Sequence, residues 1–247
     1  MKNVLIVGGT DGIGFEVARI YLGRGCRVAI TGRDGARADS ACGRLKDEFG
    51  SAEIFYMVLD VREGGAVPEI FADVDARLGK LDLVVVGVGA FHQTDELELD
   101  PADEADALDV NLRGVVRVIA EAVNRLVSNG SGHLVAIGSV SGERGRKGNP
   151  AYCAAKAGLH QYMEGVRARL HGTGVCVTTV KPGFVATKML GEPRPKFGVI
   201  SAERAARLIV RGIDWHRESF FVPWWWSLVA AVLRLTPRFV FKRFGPA

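Results

Sequence analysis

Residues Asn3–Gly14 read NVLIVGGTDGIG. Asn3–Val7 is a short apolar run rich in β-branched residues, and then glycine takes over. This pattern predicts a strand, a tight turn and the start of a helix. Gly8, Gly12 and Gly14 follow a GxxxGxG spacing. Glycine permits positive φ and close backbone approach, and a helix N-terminus offers free N–H groups to a pyrophosphate. The spacing differs from the GxGxxG dinucleotide fingerprint, but the physical logic is the same. The loop residues Thr10, Asp11 and Ile13 join the glycines as candidate cofactor contacts. A plain strand-to-helix turn is the alternative; its place directly after the first strand favours phosphate binding.

Working outward, the predicted helix Phe15–Leu22 has apolar residues at helical spacing and stops at Gly23 and Gly25. Arg27–Thr31 is a second strand, followed by helix Ala36–Phe49 and strand Glu53–Leu59. Helix Val67–Leu78 leads to the apolar LDLVVVGVGAF, a fourth strand with a glycine exit at Gly87 and Gly89. Then come a helix around Ala102–Ala122, strands His133–Ile137 and Val175–Val180, helix Ala202–Ile213 and a last strand near Phe220–Val222 that ends at Pro223. The β-α alternation with short connections predicts an α/β fold: one Rossmann-type, doubly wound parallel sheet with helices on both faces. Ligands then bind at the C-terminal ends of the strands. Gly8–Gly14, Arg33, Asp60-Val61, Gly87, Gly89, Ser139 and Pro182–Thr187 all fall at such ends.

The strand ends suggest individual roles. In dinucleotide folds an acid after the second strand binds the ribose 2′-hydroxyl, and a basic group accommodates a 2′-phosphate. Gly32 and Arg33 come first here and Asp34 only later, which points to NADP(H) rather than NAD(H). Asp60 is placed either to accept from the adenine amino group or to cap a helix. Pro182-Gly183 turn the chain, and Val185 and Thr187 follow within reach of a carboxamide or phosphate.

Composition bounds the rest. The chain has 247 residues, 48% of them hydrophobic and 24% charged, enough for one complete core. MKNVLIVGG is broken by glycine too soon for a signal peptide, and no run reaches the ~18 apolar residues of a spanning helix. Cys26, Cys42, Cys153 and Cys176 are scattered without a CxxC, so reduced thiols in a cytoplasmic compartment are expected. The five histidines lack ligand-like spacing, and no metal is expected. The net charge is +4, and Arg234, Arg238, Lys242 and Arg243 in the acid-free segment 224–247 account for it. A neutral body argues against nucleic-acid binding, which needs a basic face.

The stretch Ser139–Lys156, SVSGERGRKGNPAYCAAK, carries the chemistry. Tyr152 and Lys156 stand at i and i+4 on a predicted helix whose start is marked by Asn149-Pro150, so they share a face. A phenol beside an ammonium is a proton-transfer pair, and the positive charge is expected to lower the tyrosine pKa from about 10 toward neutrality. Ser139 ends a predicted buried strand, where its hydroxyl can hold a substrate carbonyl.

GGTDGIG, Leu59-Asp60-Val61, Asn111, Ser139, Tyr152-x-x-x-Lys156 and PGFVAT at Pro182–Thr187 together resemble the short-chain dehydrogenase/reductase family over nearly the whole chain. The resemblance implies a catalytic tetrad of Asn111, Ser139, Tyr152 and Lys156 and reversible reduction of a ketone. It also implies that Lys156 binds the nicotinamide ribose and that Asn111 holds a relay water behind it. One departure is visible. The family's Asn-Asn-Ala-Gly after the fourth strand is replaced by Val86-Gly87-Val88-Gly89, which removes the side chains that brace this turn.

Two peripheral features bear on substrate and partners. The loop Glu143–Lys147, ERGRK, lies between Ser139 and Tyr152, where Arg144 and Arg146 are candidates for binding a substrate phosphate; a solvated loop is the alternative. The segment from Trp224 predicts an apolar helix to Leu233, then a proline-broken basic-aromatic stretch. It suits either a helix lying in a membrane interface, on the cytosolic face, or one packed against the body or a second subunit of a homo-oligomer. Residues 1–223 then form the catalytic domain and 224–247 an extension. Loop and tail are similar to those of reductases acting on decaprenylphosphoryl-2-keto-pentose, which implies a lipidic, lipid-linked ketone. A soluble ketoreductase of a small or acyl-carrier substrate and a non-catalytic cofactor-binding scaffold are the other readings.

Overall fold

The structure, a computed structural model, describes residues 2–91, 98–190 and 197–244. Strands β1 (Asn3–Val7), β2 (Arg27–Gly32), β3 (Ile54–Val58), β4 (Leu83–Val86), β5 (Gly132–Ile137), β6 (Val175–Pro182) and a late strand, Ser219–Val222, form one parallel sheet. Two short strands, β7 (Val185–Ala186) and β8 (Ile200–Ser201), pair separately, so the late strand is β9. The sheet order is β3-β2-β1-β4-β5-β6-β9, the doubly wound arrangement expected from the alternation.

Helices cover both faces. α1 (Gly12–Gly23), α2 (Gly35–Phe49) and, near the end of the chain, a helix over Ala202–Asp214 enclose one buried cluster with Val4 and Ile6 of β1. α3 (Val67–Leu78) and two later helices, over Val115–Asn129 and Pro150–Arg169, enclose the other with Leu5 and Val7. Strand side chains alternate between faces, so a strand covered on both sides must be apolar throughout. That is why the run Val4–Val7 shows no polar residue and is completely buried.

The helix expected around Ala102–Ala122 is divided. It runs as α4 (Pro101–Leu108), a π-helical turn (Asp109–Gly114) and α5 (Val115–Asn129). α6 (Pro150–Arg169) and α7 (Ala202–Asp214) start as expected, and α6 begins at the proline that needs no donor there. The tail forms α8 (Trp226–Leu235) and α9 (Arg238–Phe244), two residues later than expected for the first of them. Among the described residues no helix is long and apolar enough to cross a membrane.

Candidate active site

The glycine loop is built by contact. Gly8 has φ +88°, and a Cβ there would stand 3.0 Å from the Gly87 carbonyl carbon, so the ends of β1 and β4 touch backbone to backbone. A Cβ on Gly14 would lie 2.1 Å from the Gly8 carbonyl oxygen, which closes the turn to any larger residue. Asp11 caps α1, accepting from the Gly12 N–H at 2.8 Å, and pairs with Lys188 at 2.8 Å. Thr10 packs over Gly32 at the end of β2, and the Thr187 methyl covers Gly12. The loop after β6 therefore meets the loop after β1, and Gly8–Gly14 with Pro182–Thr187 form a cradle around the start of α1. Backbone donors at a helix N-terminus, lined by glycines that let a ligand approach closely, fit a dinucleotide pyrophosphate.

At the end of β2, Arg33 is exposed, and its charge helps hold the Asp60 carboxyl below the usual range. The largest influence on Asp60 is Arg62, whose backbone N–H, at 3.0 Å, and guanidinium both bond it; Arg62 also reaches Asp106 at 2.9 Å. Asp60 closes a turn and does not cap a helix; its geometry is that of an Asx-turn. Val61 is buried, and its carbonyl oxygen would be 2.6 Å from a Cβ on Gly114.

Asn111 and Lys156 meet at the exit of β4, and the Ser139 hydroxyl acts on the Tyr152 phenol. Asn111 is completely buried on the π-turn. Its Oδ1 accepts from the Ala90 N–H at 3.3 Å, and its Nδ2 donates to the carbonyls of Ala90 at 2.7 Å and Ala107 at 2.9 Å. A π-turn frees a carbonyl from the i→i−4 ladder, and Asn111 uses one. Through Ala90, Asn111 braces the end of the turn at Gly87–Gly89. A Cβ on Gly89 would stand 3.1 Å from Asn111 Oδ1 and 3.8 Å from Lys156 Nζ. Lys156 is 3% exposed and donates to the carbonyls of Ile137 at 3.4 Å and Val88 at 3.5 Å.

The proton-transfer pair departs from expectation. Burial pushes the Tyr152 phenol up to about 12, against opposing influences from the Ser139 hydroxyl and Arg146. Burial lowers Lys156 to about 8. The ammonium lies 5.7 Å from the Tyr152 ring centroid, and the cation acting on the phenol is Arg146. Sequence spacing placed both groups on one face correctly; desolvation, which spacing does not report, reverses the expected direction for tyrosine.

His160 was missed. It follows Lys156 by four residues, so Tyr152, Lys156 and His160 repeat at i, i+4 and i+8 on one face of α6, a signal the sequence did contain. Its Nε2 accepts from the Ser139 backbone N–H at 3.4 Å, and burial, with Lys181 and Lys156, lowers it to about 3. The ring is therefore neutral. Acceptance at Nε2 puts the proton on Nδ1, 3.6 Å from a Glu143 carboxylate oxygen. Glu143 is itself buried and pairs with Lys181 at 2.8 Å and Arg234 at 3.5 Å.

The ERGRK loop is neither solvated throughout nor a single phosphate clamp. Arg144 donates to the Leu233 and Thr236 carbonyls and lies 3.9 Å over the Phe241 ring, so it clasps the tail rather than a substrate. Arg146 points inward and is 8% exposed, while Lys147 is exposed. Trp226 and Ala230 of α8 pack on Val140, beside Phe184, so one face of the tail rests on the body.

A family model described as short chain dehydrogenase matches residues 2–197. An uncharacterized oxidoreductase of Myxococcus xanthus is 30% identical over 243 residues, covering 97% of this chain and 94% of its own length. An NADP-dependent 3-hydroxy acid dehydrogenase of Escherichia coli is 32% identical over 188 residues, covering 74% and 72%. Among solved structures, an alcohol dehydrogenase from Thermococcus sibiricus complexed with 5-hydroxy-NADP superposes with a TM-score of 0.80 at 24% identity, over 90% of this chain and 95% of that one. LigD from Sphingobium, in its apo form, gives 0.83 at 22%, over 100% and 98%. With the family model over most of the chain and the sheet order in agreement, the chain belongs to the short-chain dehydrogenase family of oxidoreductases.

Proposed function

We propose that this protein interconverts a ketone and a secondary alcohol with NADP(H), using Asn111, Ser139, Tyr152 and Lys156. The observation that carries the reading is the meeting of Asn111 and Lys156 beneath Gly89, at the strand ends where the glycine cradle opens. A bound nicotinamide supplies or accepts the hydride. Ser139 holds the carbonyl oxygen. Tyr152, kept protonated by its burial, donates its proton to that oxygen during reduction and recovers one in the reverse direction. Lys156, held by the Val88 and Ile137 carbonyls, is positioned for the cofactor ribose. Asn111 fixes the turn through Ala90 and, as in the resemblance, stands behind Lys156 in a proton relay. Gly8, Thr10, Asp11, Gly12, Ile13 and Gly14 receive the pyrophosphate, with Pro182, Gly183, Val185 and Thr187 opposite. Asp60, Val61, Gly87 and Gly89 border the adenosine and nicotinamide ends.

Arg33 is the expected selector of the 2′-phosphate, and the NADP-dependence of the Escherichia coli relative supports the preference. NADPH oxidation across a ketone panel tests both claims. Wild type is expected to prefer NADPH over NADH, and Arg33→Ser to raise the KM for NADPH about ten- to hundredfold, one lost charge-assisted contact being worth ~1.5–3 kcal/mol. No oxidation with any ketone would remove the reading.

The substrate is lipidic and met at a membrane surface, where residues 224–247 act as an extension to the catalytic unit 1–223. Leu228, Val232 and Leu235 are exposed at helical spacing on α8, with Trp224 before and Phe239 after also exposed. Arg238 and Lys242 stand in the same acid-free segment, which suits an anionic interface. Sedimentation with phosphatidylglycerol vesicles is expected to pull down the protein, and the double variant Leu228→Glu/Val232→Glu to leave it in the supernatant. A wild type that ignores the vesicles but forms a dimer broken by the same variant would assign the stripe to a second subunit.

A further inference from the structure

Arg146 is the one cation of the ERGRK loop that the tail and the solvent leave unexplained. It lies between Glu143 and the start of α6 and is 8% exposed. Among the described residues its guanidinium has no hydrogen-bond or ion-pair partner, while Arg144 holds the tail and Lys181 holds Glu143. The groups that feel its charge are the Tyr152 phenol and the Cys153 thiol, and the Phe184 ring lies 5.9 Å away. Burial works against its charge, yet arginine does not give up its proton in proteins. An unpaired buried cation is costly, and a fork of N–H donors matches a carboxylate or phosphate in both geometry and charge.

We propose that Arg146 anchors an anionic group of the substrate, a carboxylate or a phosphate, so that the neighbouring carbonyl meets Ser139 and Tyr152. The assignment rests on the ketone-reductase reading and narrows it to anionic ketones. Arg144, the other phosphate candidate of the ERGRK loop, is excluded by its hold on the tail. An anion at Arg146 would stand beside the proton donor, so the carbonyl and the charged group must be only a few bonds apart in the substrate.

Two matched pairs test the proposal: acetoacetate against its methyl ester, and dihydroxyacetone phosphate against dihydroxyacetone. In wild type the anionic member of at least one pair is expected to have a kcat/KM more than tenfold above the neutral one, chiefly through KM. The pair that shows the preference distinguishes carboxylate from phosphate. Arg146→Met should bring that ratio close to one, and Arg146→Lys should restore part of it. A ratio near one in wild type, or one that Arg146→Met leaves unchanged, overturns the proposal. A second readout does not need turnover. In protein saturated with NADP⁺, acetate or phosphate should raise the Tm of wild type and not that of Arg146→Met. If no ketone is reduced, the functional reading fails, and this shift alone decides whether Arg146 binds anions.

Discussion

Tyr152→Phe is expected to lower turnover by about 10²–10⁴-fold, the contribution of a positioned acid or base. The substitution removes one oxygen from a residue that is otherwise a wall. The Tyr152 ring packs edge-on against Phe91, with centroids 5.0 Å apart at 88°, and phenylalanine keeps that contact. The lost hydroxyl is the group that the Ser139 side chain and Arg146 act on. With the phenol pushed up to about 12, the free protein holds a proton ready for donation at neutral pH, which suits reduction. NADPH binding, followed by cofactor fluorescence, should change little, because the cradle lies on other elements. A fully active Tyr152→Phe protein would sink the assignment of this residue as the acid. Loss of cofactor binding together with activity would mean that the hydroxyl helps to hold the cofactor and does not serve only as the acid.

Trp226→Ala should produce the largest loss of stability outside the central core. Trp226 is 5% exposed, stacks on Trp225 at 4.9 Å and meets Phe184 edge-on at 5.1 Å. It also fills the space over Gly183, where a Cβ would come within 1.9 Å of its Nε1. Truncating a buried tryptophan costs about 3–5 kcal/mol, and 3 kcal/mol corresponds to a fall in Tm of roughly 6–12 °C in a domain of this size. Activity should fall with it, since Val140 follows Ser139 and Phe184 lies in the loop that covers the cradle. Trp226→Phe should be much milder, because among the described residues the buried indole N–H has no partner and its removal ends that penalty. An alanine variant with the Tm and protease resistance of wild type would show that the tail is only loosely laid on the body.

The periodicity of short apolar runs and helical stripes was enough to predict a doubly wound parallel sheet, because its central strands are covered on both faces. The glycine turn was legible for a different reason: its residue type answers to local geometry, with Gly8 at φ +88° against Gly87. Asn111 was read as buried in a helix, but the π-turn around it was not, since one extra residue in a turn leaves no mark in an apolar pattern. Arg144 looked like a substrate ligand, and its true partners are carbonyls about ninety positions away. No local pattern carries that information. The direction of the Tyr152 shift was hidden likewise, because it depends on how much protein closes over the ring.

The clasp between Arg144 and the tail also has a consequence for the order of assembly. Its partners, the carbonyls of Leu233 and Thr236, lie 89 and 92 residues further along the chain. Folding during synthesis proceeds from the N-terminal side. The glycine cradle, β5 and α6 all leave the ribosome before α8 exists. The turn that follows Ser139 therefore waits for its last supports after the reacting groups have been made. The loop at Gly183 waits in the same way, because Trp226 of α8 covers it, so a chain cut short of α8 would lack the final contacts of both segments.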